Sequence, residues 1–142
     1  MSRCITAFLL FLVNVSAFAD DPKLLMSAGA LYATPVRAQK CSDDYPDLAQ
    51  NVVSALDSFN SRYRTEMAAF DKAVSALKPD VPLNQIKKEI GDVHLEIIAA
   101  RLGRGTPLPR RECEIFIRQL EAGSIPNVIK RSFELAVERF PS

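Results

Sequence analysis

Apolar side chains between Asp44 and Pro79 recur at Leu48, Val52, Leu56, Phe59, Tyr63, Met67, Phe70, Val74 and Leu77. Gaps of three and four residues put them on one continuous stripe of a helix. Asp44 suits the N-cap, and Pro46 suits the first turn, where a missing N–H costs nothing. Pro79 ends the run. The spacing predicts a long first helix of about 30 residues, roughly 45 to 50 Å, with Asn60 and Ser61 as the place where it would bend.

The linker Lys78-Pro79-Asp80-Val81-Pro82 turns the chain, and a second helix follows with Leu83, Ile86, Ile90, Val93 and Ile97 on one face. It ends near Leu102, where Gly103 and Gly105 supply stop signals. A third helix is expected from about Pro109 to Ala122, stopped by Gly123. A fourth is capped by Ser124, with Pro126 in its first turn and Val128, Ile129, Phe133, Ala136, Val137 and Phe140 inward. No run alternates with the period of a strand. The pattern predicts an all-α, single-domain bundle of about four helices: a long helix 1, an antiparallel helix 2 and two shorter helices.

The first residues have a different pattern. Arg3 precedes a nearly unbroken apolar run from Ile5 to Val13, then Ala17-Phe18-Ala19, then two acids. This is the layout of a secretory signal peptide, and the run is too short for a permanent span of about 20 residues. Cleavage is expected after Ala19. Val36-Arg37-Ala38 offers an alternative site, so cleavage after Ala38 stays open. The stretch 24–36 is also too short to span a bilayer and contains Gly29 and Pro35. The chain thus divides into a signal peptide at 1–19, an N-terminal arm or short helix at 20–40, and a helical bundle domain at 41–142.

Either cut removes Cys4 and keeps Cys41 and Cys113. Two cysteines in an exported chain predict one disulfide, worth roughly 4 kcal/mol in the chain-entropy account of so long a loop. The helix lengths agree with it. Helix 2 returns part of the way along helix 1, and the segment 103–108, spanning about 20 Å when extended, brings Cys113 level with Cys41.

Charge and chemistry narrow the function classes. Loss of residues 1–19 takes away Arg3 and no acid, which leaves 17 basic and 17 acidic side chains. Nucleic-acid binding, which relies on clustered cationic charge, is not expected. The only N-x-S/T sequence, Asn14-Val15-Ser16, lies in the signal, which favours a bacterial periplasm over a eukaryotic secretory route; the expected location is the periplasm rather than the extracellular medium. His94 is the only histidine. Asp92 and Glu96 stand two residues to either side and point to another face, so a half-buried boundary histidine is expected and a zinc site is not. There is no nucleophile elbow, phosphate loop or C-x-x-C pair. No catalytic, cofactor-binding or metal-ligating residue is expected, and no enzyme.

The strongest surface signal is segregated charge. Arg101, Arg104, Arg110 and Arg111 share a stretch without acids, while Asp43, Asp44 and Asp47 flank Tyr45 without a base. The disulfide would bring both stretches to one end of the bundle. There the charges can neutralise one another, or they can form a docking surface, since arginine and tyrosine are favoured at interface hot spots. The expected function is binding of a protein partner in the periplasm, as an inhibitor, immunity-type or chaperone-like accessory factor. The alternative is a carrier of a small ligand or lipid in a cavity between the helices.

Overall fold

The structure, a computed structural model, describes residues 22–142. The signal-peptide reading of 1–19 lies outside the described residues. The elements are α1 (Pro22–Asp44), a 3-10 turn (Pro46–Leu48), α2 (Ala49–Arg62), α3 (Arg64–Leu77), α4 (Leu83–Leu102), α5 (Arg110–Ala122) and α6 (Asn127–Arg139). The fold is all-helical, with no strand among the described residues, and carries the disulfide Cys41–Cys113.

The stripe expected between Leu48 and Leu77 is the buried face of α2 and α3. Val52, Phe59, Phe70 and Val74 are in the core, and Leu56, Tyr63, Met67 and Leu77 pack against it. The expected single helix is instead a rod bent at Tyr63 (φ −107°, ψ 23°), a few residues beyond Asn60 and Ser61. With the rod counted once, five helical segments make up the described bundle.

Asp44 is not an N-cap. It ends α1, and the rod begins only after the 3-10 turn that Pro46 opens. Residues 22–40 are part of α1, which runs on past Cys41 and packs on α2, α3, α4 and α6. Leu24, Ala28, Leu31, Tyr32, Ala38 and Cys41 are buried, at spacings that keep them on the inward side of a helix. Pro35 sits inside this helix and deprives the carbonyl four residues back of its donor. Its own side chain is exposed.

Neighbouring pairs give the directions. Tyr32 donates to Asp71 at 2.7 Å, Lys87 pairs with the same carboxylate at 3.1 Å, and Val36 lies against Gly91. The rod therefore runs back along α1, and α4 reverses again. α4 is antiparallel to the rod, as expected, but packs chiefly on α1.

The C-terminal helices close the bundle. Gly123 adopts a left-handed conformation (φ 64°), its N–H bonds Leu120 O, and Ser124 N–H bonds Gln119 O, which ends α5. Arg62 Nη1 donates to Ala122 O at 2.6 Å, and Tyr63 Oη donates to Gly123 O at 2.5 Å. The bend in the rod thus supplies the donors for the end of α5. Ser124 does not cap α6. Pro126 occupies that position without a side-chain cap. The expected inward residues of α6 are buried or packed on the core. Phe133 meets Tyr63 and Phe70 (ring centroids 5.5 and 6.0 Å), and Ser132 pairs with Ser27 of α1 at 2.8 Å.

Candidate functional site

The cysteines and the charged segments meet at one end of the bundle. Below the disulfide, Leu108 is fully buried. Its N–H donates to Asp44 Oδ2 at 2.9 Å, and its carbonyl accepts from Tyr45 Oη at 2.5 Å. Asp44 also pairs with Lys40 at 3.0 Å. Arg110 grips both carboxylate oxygens of Asp47 (2.6 and 3.2 Å), bonds Glu114, and lies over the Tyr45 ring. Its guanidinium holds the Asp47 carboxyl below the usual carboxylate range.

Three of the other predicted residues here are also occupied. Asp43 accepts from Gln39, Arg104 pairs with Glu96, and Arg101 makes a bidentate pair with Glu112. Arg111 is exposed and makes no ion pair among the described residues. Only Arg110–Asp47 joins the two charged stretches directly; most of the other charges pair with partners outside them, and Asp44 and Tyr45 tie Leu108 to the end of α1.

A second feature comes from residues that sequence reasoning did not group. An open cleft of about 560 Å³ lies between α1 and α5 and reaches the start of α6. Small side chains of α1, including Gly29, Ala30 and Ala33, form one wall. A β-carbon placed on Gly29 would meet nothing within 4 Å. Ile115, Phe116 and Ile129 supply apolar surface opposite.

The cleft's other end is polar. Glu112 receives Arg37 Nη2 at 3.3 Å as well as Arg101, and Arg37 lies over the Phe116 ring. Arg101 chiefly, with Arg37, holds the Glu112 carboxyl below its ordinary range. His94 completes this end. Burial first, then the charges of Arg37 and Arg101, push its imidazole pKa down. Arg37 Nε and His94 Nε2 are both buried and make no hydrogen bond. Arg37, His94 and Glu112 come from three helices, so no local spacing could unite them. The one sequence signal was His94 on the flank of the α4 stripe.

The third feature is the outer face of α4. Leu83, Ile86 and Ile90 face the core as expected, but Val93 and Ile97 do not: they are 58% and 60% exposed. The buried face passes instead through Gly91 and Ile98. A β-carbon on Gly91 would stand 2.7 Å from Val36 Cγ2, so the glycine is where α1 comes closest. That contact turns the helix until His94 points partly inward and Val93 and Ile97 outward. With Leu95 and Ala100 they line a shallow apolar patch that also takes in Asp92 and Glu96.

Among the described residues, no group of three or more His, Cys, Asp or Glu could hold a metal ion, and no helix is long and apolar enough to cross a membrane. No protein family, curated protein or solved structure matches the chain.

Proposed function

We propose that the protein is an exported accessory factor of the periplasm, without catalytic activity of its own, that works by binding another protein through the outer face of α4. The observation that carries this reading is the exposure of Val93 and Ile97, one turn apart, at 58% and 60%. Single exposed apolar residues are ordinary, but an adjacent pair of β-branched side chains with a charged edge has the make-up of an interface centre and rim. Arg110, Asp44 and Tyr45, by contrast, are engaged within the chain, so the charged end serves as a latch and contributes at most Arg111 to recognition. The Cys41–Cys113 bond fits an oxidising compartment. An inhibitor, an immunity-type protein and a chaperone-like factor would each use such a face.

The test compares wild-type protein with Val93→Glu/Ile97→Glu. Both side chains are exposed, so the variant melts at the same temperature. Recovery of a specific partner from periplasmic extract drops with the variant. Equal recovery of the same partner by both proteins contradicts the reading.

A further inference from the structure

The cleft between α1 and α5 carries an inference that is separate from the docking face of α4. We infer that it is a binding site for a single-chain amphiphile with an anionic headgroup, the headgroup at Arg37 and His94 and the chain along Gly29 and Ile129.

Three observations converge on this ligand. The first is shape. At 1.5 Å per residue, Gly29 to Arg37 spans about 12 Å of α1, and the cleft of about 560 Å³ falls in the size range of small-molecule sites. Gly29 leaves its wall open: a β-carbon there would meet nothing.

The second is charge. Arg37 and Arg101 share the single carboxylate of Glu112, and His94 is the remaining titratable group at that end. The cluster keeps one positive charge more than it neutralises. An anion would complete it, and a cation would be repelled.

The third is hydrogen bonding. Buried polar atoms are nearly always paired, and each exception calls for a reason. Here two exceptions, Arg37 Nε and His94 Nε2, stand at the same end of the same cleft. The Arg37 side chain remains about a third exposed (31%), so its guanidinium can turn to an incoming headgroup. The apolar surface of Ile115, Phe116 and Ile129 then suits an alkyl chain over a second charged group.

The test uses the purified, disulfide-intact chain and three probes with one tail: decanoate, decanol and decyltrimethylammonium. Binding is followed by calorimetry and by thermal shift, below the concentration at which each probe forms micelles. Decanoate binds saturably, about tenfold or more tighter than decanol, the difference expected for one charge-assisted hydrogen bond. The cation does not bind. Arg37→Gln removes the preference for decanoate over decanol. Gly29→Leu, which fills open space and raises helix propensity, retains the fold by circular dichroism and loses both decanoate and decanol. Decyl phosphate binding as tightly as decanoate, and with the same dependence on Arg37, shows that charge selects the headgroup. The inference is overturned by no saturable decanoate binding, by equal binding of the three probes, or by unchanged binding in a folded Gly29→Leu protein.

Discussion

The side chain of Val36 lies over Gly91 so closely that a β-carbon on residue 91 would stand 2.7 Å from Val36 Cγ2. The contact decides which face of α4 is inside. It also makes a reversible prediction. Alanine is favoured over glycine in a helix by about 1 kcal/mol, but valine is stiff about χ1 and cannot simply swing away. Overpacking of this kind costs about 1 to 3 kcal/mol. Gly91→Ala therefore destabilises the protein by about 1 kcal/mol, whereas in a Val36→Ala background the same change stabilises it by about as much. Urea denaturation of the four proteins in the cycle measures both. The same sign in both backgrounds would remove the contact from the account.

His94 makes stability depend on pH near neutrality. Its folded pKa lies below the ordinary 6.5, mainly through burial. In that window the unfolded chain binds more protons than the folded one, so stability falls as pH is lowered through 6.5, until the folded value is passed. Carboxylates held low, such as Glu112, withdraw their contribution only at lower pH. With one histidine in the chain, His94→Gln flattens the dependence between about pH 7.5 and 5.5. The ring resonances of His94 titrate with a midpoint below 6.5 in the wild type. A midpoint at or above it contradicts the burial argument.

The disulfide closes a sequence separation of 72 residues. The chain-entropy account gives roughly 4 kcal/mol for such a loop. Cys41→Ser/Cys113→Ser loses about that much in chemical denaturation, and wild-type protein loses a similar amount when reduced. A loss below about 1 kcal/mol would mean that the Tyr45, Asp44 and Arg110 contacts hold this end without it.

Intact mass of the protein as it accumulates in its own host separates the two proposed cleavage sites. A cut after Ala38 discards Leu24, Ala28, Leu31 and Tyr32, all of them buried, and splits α1 near its end. A cut after Ala19 keeps the whole helix. The predicted species begins at Asp20, and a species beginning at Gln39 would contradict the place of α1 in the core.

How much of this was legible depended on where each signal sits. The rod could be read because its stripe repeats over nine apolar residues from Leu48 to Leu77, and its buried face follows them. The ends of α4 and α5 could be read because Leu102 and Ala122 are each followed by a glycine at positive φ. α1 is harder to read: Lys23, Pro35, Arg37 and Lys40 break up its apolar pattern, and its packing on four other helices is what makes it central. On α4 the aliphatic spacing runs on through Val93 and Ile97 and places them inward, whereas the close contact is made by Gly91, which has no side chain to announce it. The cleft was hidden for another reason: Arg37, His94 and Glu112 are distant in sequence and meet only once three helices have packed.

The proposed binding function requires that another protein cover Val93 and Ile97. A photoreactive amino acid placed at position 97, and separately at Leu135, which is 46% exposed on α6, reports such a partner. Each protein is expressed in its own host, irradiated in intact cells and analysed by mass spectrometry. A partner seated on α4 gives a discrete protein adduct from position 97 and none from position 135. No adduct at 97, or the same adducts from both positions, rules that partner out.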